Sequence, residues 1–73
     1  MAIVDIKAEI TGNVWKITAT PGQKVAEDEP IIIMESMKME IPVAPAEAGV
    51  VKEILVKEGD VVTEGSVVAR IEA

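Results

Sequence analysis

Lys38 stands in Met34-Glu35-Ser36-Met37-Lys38-Met39-Glu40, near the middle of a chain of 73 residues that has no histidine and no cysteine. Few side chains remain that could do chemistry, and Lys38 is the one with unusual neighbours. The missing histidine removes the commonest general base and metal ligand; the missing cysteine removes disulfides and thiolate metal sites. Ser36 and Thr63 have no histidine with which to form a nucleophilic pair. Glu27, Asp28, Glu29, Glu35 and Glu40 show no spacing that converges on a metal, and so short a chain offers no evident cleft to raise one carboxyl pKa for paired-carboxylate hydrolysis. No catalytic and no metal-ligating residue is expected. A lysine amine, with a reference pKa of about 10.4, is mostly protonated near neutrality. Glu35 and Glu40 favour that charged form, so the amine is not self-activating.

Size and charge narrow the field further. Seventy-three residues make one domain, 1–73, whose small apolar core must be efficient. The net charge of −6 comes with no basic block, which argues against nucleic acid and anionic lipid as partners. Ile31 to Met34 is far too short to cross a bilayer, and Met1 to Lys7 lacks the basic start of a signal peptide. The expectation is a cytoplasmic protein, or one of an organelle matrix if the chain is part of a larger protein.

The elements that must position Lys38 follow from an internal repeat. A shift of 37 residues aligns Gly12 with Gly49, Val14 with Val51, Ile17 with Ile54, Gly22 with Gly59, Val25 with Val62, Glu27 with Glu64 and Glu35 with Glu72. Isoleucine and valine dominate the apolar positions, Phe and Tyr are absent, and glycine or proline interrupts every run. That composition favours strands over helices. Strands are expected at Ile3 to Lys7, Asn13 to Thr18, Ile31 to Ser36, Met39 to Val43, Val50 to Val56 and Val67 to Glu72, with short ones near Gln23 to Val25 and Asp60 to Val62. Alternation puts Ala69 and Ile71 inward and Arg70 and Glu72 outward; by the repeat, Ile32 and Met34 also face inward.

The chain is therefore read as all-β: a flattened barrel or sandwich of two four-stranded antiparallel sheets with pseudo-twofold symmetry, the two halves packed face to face. Trp15, the single aromatic residue, is expected to cover one sheet as a large hydrophobe. The glycines fall where turns need positive φ or backbones approach closely. Asp28 takes the place that Gly65 holds in the second half, a position aspartate tolerates in a left-handed conformation.

If Ile31 to Ser36 and Met39 to Val43 are adjacent antiparallel strands, Met37 and Lys38 are the tip of a tight hairpin and the lysine projects into solvent. The tip lacks the Asn-Gly or Asp-Gly that usually favours a two-residue turn, so Met-Lys needs an explanation beyond chain reversal.

These residues resemble a known family. Glu35-Ser36-Met37-Lys38-Met39 is similar to the Glu-Ala-Met-Lys-Met signature of biotinyl domains, whose central lysine takes biotin through an amide bond. Ala44-Pro45, Gly49-Val50-Val51, Gly59-Asp60-Val61-Val62, Gly65 and Ile71-Glu72 also look like the framework of biotinyl/lipoyl attachment domains, and the resemblance spans nearly the whole chain. Ser36 replaces the usual alanine. Val25 to Ile31 is too short for the protruding insertion of some bacterial carriers.

The resemblance implies a carrier and not an enzyme. Lys38 takes covalent biotin, Glu35, Met37 and Met39 are read by a biotin protein ligase, and the attached biotin shuttles a carboxyl group between a biotin carboxylase and a carboxyltransferase. The hard chemistry then belongs to cofactor and partners. Two other readings stay open. One is a lipoyl carrier, or a protein that takes both cofactors; lipoyl domains usually carry aspartate before the lysine and a small residue after it. The other is an unmodified interaction module on the same fold.

Overall fold

The computed structural model describes residues 2–73. Its eight strands are β1 (Ile3–Lys7), β2 (Gly12–Ile17), β3 (Lys24–Val25), β4 (Ile32–Ser36), β5 (Met39–Val43), β6 (Gly49–Ile54), β7 (Val61–Val62) and β8 (Val67–Glu72). They form two antiparallel four-stranded sheets, β1-β8-β6-β3 and β5-β4-β2-β7, called here the terminal sheet and the hairpin sheet. The all-β class, the two sheets and their pseudo-symmetry agree with the sequence reading, and strand limits differ from it by a residue or two at the ends.

The halves, however, do not each make a sheet. β1 and β3 of the first half join β6 and β8 of the second, while β2 and β4 join β5 and β7. The reason lies at Lys38. A two-residue turn obliges its flanking strands to pair antiparallel, so β4 and β5 share one sheet although they belong to different halves. The two-residue strands β3 and β7 are likewise completed from across the repeat, β3 on β6 and β7 on β2. Repeat mates meet at this crossing: Gly22 N–H donates to the Val51 carbonyl at 2.7 Å, and Gly59 N–H to the Val14 carbonyl at 2.8 Å.

The core lies between the sheets. Ile31, Ile32, Met34, Val68, Ala69 and Ile71 are fully buried, with Val14, Val25, Val51 and Val62 beside them. Among the described residues no polar or charged side chain is buried. Each buried Val, Ile or Leu contributes roughly 1.5–3 kcal/mol, and that packing holds the two sheets together. Asp28 has a φ of 65° and Gly65 one of 88°. Their N–H groups donate to Pro45 and Ala8, residues that the repeat also relates.

Trp15 departs from expectation. The β2–β4 register shifts between Val14 and Lys16, so Trp15 sits in a β-bulge and is half exposed. The same irregularity recurs between Val51 and Glu53, which puts Lys52 at the equivalent bulge. Trp15 follows the buried Val14 and so faces outward by alternation, and the extra residue of the bulge returns Ile17 to the core side.

Candidate functional site: the β4–β5 hairpin

The β4–β5 ladder runs Ile32↔Val43, Ile33↔Pro42, Met34↔Ile41, Glu35↔Glu40 and Ser36↔Met39, which leaves Met37 and Lys38 as a two-residue turn. Both have positive φ, 52° at Met37 and 65° at Lys38. Two consecutive positive-φ residues are what a type I′ turn needs, and asparagine and glycine are the usual occupants. A non-glycine residue held there costs of order 1–3 kcal/mol. Glu35 and Glu40 stand directly opposite each other, a like-charge pairing that further weakens the ladder. Neither feature helps the fold, and both lie next to the same lysine.

The expected residues come together here. Lys38 and Glu35 are exposed, Met37 is 92% exposed and Met39 61%. Met34, three residues before Met37, is fully buried and ties β4 to the core. The three methionines of the hairpin therefore divide by role: Met34 anchors it, and Met37 and Met39 present thioethers to solvent beside the amine. The carboxylates singled out from the sequence do not converge, since no group of three potential ligands among the described residues could hold a metal.

Sequence reasoning did not identify the contact that seats the hairpin's base. A Cβ on Gly12 would lie 2.5 Å from the Glu35 carbonyl oxygen and 3.2 Å from the Ser36 Cβ, and one on Gly49 would lie 2.6 Å from the Glu72 carbonyl oxygen. Gly12 with Gly49 and Glu35 with Glu72 are both repeat matches, so the signal was present as two unconnected pairs.

The left-handed tip suggests a direct check. Met37→Asn keeps the amine and gives the turn a residue that tolerates positive φ; it should raise unfolding free energy by about 1 kcal/mol. Denaturant midpoints measure this. A loss of stability would mean that Met37 is held by packing and not strained.

The chain matches the family model described as "Biotin-requiring enzyme", Biotin_lipoyl, over residues 2–71. It is 39% identical over 66 residues to the biotin/lipoyl attachment protein of Bacillus subtilis, covering 90% of each chain. It is 37% identical over 67 residues to the biotinylated protein TB7.3 homolog of Mycobacterium leprae, covering 92% of this chain and 94% of that one. Its structure superposes on part of the Kluyveromyces lactis urea carboxylase with a TM-score of 0.93 and 38% identity, covering 99% of this chain and 6% of the carboxylase. With the match running through both sheets and the hairpin, and with relatives of nearly its own length, the chain belongs to the biotin/lipoyl attachment family.

Proposed function

We propose that the chain is a biotin carrier. Lys38 takes biotin through an amide bond, and the attached group carries a carboxyl between a biotin carboxylase and a carboxyltransferase, which do the catalysis. The observation that carries this reading is the two-residue turn, which holds an exposed amine at the end of the β4–β5 ladder despite the strain at both tip residues. Nothing on the hairpin could deprotonate or activate the amine, so attachment belongs to a biotin protein ligase. The ligase presents biotin as an acyl-adenylate; the Lys38 nitrogen attacks the acyl carbon, the bond to the adenylate oxygen breaks, AMP leaves, and a base of the ligase takes the amine's proton. Biotin, once bound, supplies the ring that accepts and releases the carboxyl group. The carrier supplies position: a tethered group meets each partner at an effective concentration set by the tether, and not by diffusion from bulk.

Glu35, Met37 and Met39 are the side chains the ligase reads. Soft thioethers adapt to a partner's apolar surface. Met37→Ala and Met39→Ala should each slow acylation roughly tenfold, equivalent to about 1.4 kcal/mol. Unfolding free energy should stay within about 0.5 kcal/mol of the parent, because neither side chain is in the core. Single-turnover acylation with ligase, ATP and biotin measures this, and unchanged rates in both variants would remove the recognition role.

Lipoate is the second reading. The family covers both groups, and the Bacillus subtilis relative bears both in its name. The methionines on both sides of Lys38, in place of an aspartate before it and a small residue after it, support biotin. The intact mass of protein isolated from its native cell separates the readings: one biotinyl group, one lipoyl group, or neither, the last leaving an unmodified interaction module.

A further inference from the structure

The pseudo-twofold allows the outer faces of the two sheets to be compared position by position. On the terminal sheet, Asp5, Arg70 and Glu53 form one row across β1, β8 and β6. Arg70 Nη1 donates to Glu53 Oε1 at 2.6 Å and Arg70 Nε to Asp5 Oδ1 at 3.0 Å, while Lys52 Nζ lies 3.9 Å from Glu72 Oε2. The bond to Glu53 and then that to Asp5 raise the Arg70 guanidinium above its ordinary range. Asp5, Glu53, Arg70, Lys52 and Glu72 are thus matched among themselves.

The same row on the hairpin sheet reads Pro42, Ile33 and Lys16. Trp15 stands where the terminal sheet has Lys52, Ile33 where it has Arg70, Pro42 where it has Asp5, and Val61 where it has Lys24. Trp15 is 47% exposed and Val61 76%. Four charged positions on one face are thus apolar on the other, and the chain's only aromatic residue is among them. Beside this apolar group lie Glu35 and Glu40, opposed across the ladder. Every ion pair found among the described residues involves terminal-sheet residues, and neither Glu35 nor Glu40 is in one.

We propose that the outer face of the hairpin sheet, centred on Trp15, Ile33 and Pro42, is the docking surface for the ligase that acylates Lys38. The ligase would meet it with an apolar recess for the indole and a lysine or arginine between Glu35 and Glu40. This inference rests on the carrier reading. Three observations select the occupant. The sheet that carries this face also carries the lysine, in the turn between β4 and β5, so an enzyme that closes on the tip reaches the face without a second encounter. The tip alone is a few side chains, whereas a specific interface buries about 800 Å² on each partner, and of the two neighbouring faces this one is apolar. Finally, the opposed carboxylates leave negative charge that a partner's cation relieves, while a net charge of −6 disfavours a second copy of the chain.

The test compares Trp15→Lys, which installs the residue of the equivalent bulge, with Lys52→Ala on the opposite face. Both are assayed as folded protein with biotin protein ligase, ATP and biotin. Trp15→Lys should raise KM at least tenfold with kcat nearly unchanged, the size expected for a tryptophan anchor, and Lys52→Ala should leave both constants alone. Raising the salt concentration should raise KM for the parent, and Glu40→Gln should reduce that dependence. Equal KM for parent and Trp15→Lys overturns the proposal. So does parent protein that dimerises in sedimentation through Trp15 while acylating normally, which would assign the face to a second copy. Parent protein that the ligase leaves unmodified removes the carrier reading and this inference with it, a result distinguishable because it does not depend on Trp15.

Discussion

Lys38→Arg should leave the chain folded and unacylated. Arginine keeps the positive charge at the tip, but its guanidinium stays protonated throughout the accessible pH range and has no free electron pair to attack an acyl carbon. The side chain is exposed and in none of the ion pairs found among the described residues, so the exchange should alter stability by less than about 0.5 kcal/mol. Intact mass after incubation with ligase, ATP and biotin should be that of the bare chain, against one added group for the parent. The other lysines are Lys7, Lys16, Lys24, Lys52 and Lys57. The first four lie on strands, and Lys57 opens a turn in which its N–H donates to Asp60 Oδ2 and its carbonyl accepts from the Asp60 N–H. None projects from a two-residue tip. A retained mass shift, mapped to one of them, would overturn the site.

The largest stability effects should come from Gly12→Ala and Gly49→Ala. At either site the added methyl meets a backbone carbonyl at 2.5 or 2.6 Å, a separation that no rotamer change can relieve. Strands β2 and β4, or β6 and β8, must then move apart. Overpacking of this kind costs typically 1–3 kcal/mol, and more where the neighbour is backbone. For 73 residues total stability is about 4–11 kcal/mol, so either substitution removes a large share of it. Thermal midpoints should fall by ten degrees or more, on the rule that 1 kcal/mol is about 4–8 °C for a domain this small.

The two glycines should differ in function. Gly12 presses on Glu35, three residues from Lys38, whereas Gly49 presses on Glu72 in the other sheet. Measured where both variants are still folded, Gly12→Ala should slow acylation and Gly49→Ala should not. Equal acylation in the two would show that the Gly12 contact does not position the tip.

Much of this was legible in the chain itself. The repeat is a repeat of contacts: Val14 with Gly59, Val51 with Gly22, Gly12 with Glu35 and Gly49 with Glu72. Alternation placed Ile32, Met34, Ala69 and Ile71 inward, where all four are fully buried. Lys38 was legible because an amine between two methionines, at a turn lacking turn residues, departs from what chain reversal alone selects. Asp28 was legible because its repeat mate is a glycine, and a left-handed backbone is what aspartate and glycine have in common.

The interleaving of the halves was missed because periodicity tells a strand which face is inward but not which strand lies beside it. The constraint was nonetheless implicit, since a two-residue turn between the halves cannot join strands in different sheets. The bulge at Trp15 was missed for a related reason. Alternation from the inward Val14 sends Trp15 outward, and only the register against β4, with its shift between Val14 and Lys16, reveals the extra residue. The opposition of Glu35 and Glu40 and the row of Lys16, Ile33 and Pro42 are likewise matters of register between strands.

The sequence by itself determined the all-β class, the repeat, the inward faces of β4 and β8 and the place of Lys38 at a turn, because side-chain period and turn chemistry are local properties. The tertiary structure alone decided that the halves interleave, that Met37 and Lys38 carry left-handed strain, and that one outer face carries an apolar group at positions where its symmetry mate carries charges, most of them paired. Those depend on cross-strand pairing, which joins residues far apart in the chain and is settled only when both sheets close on one core.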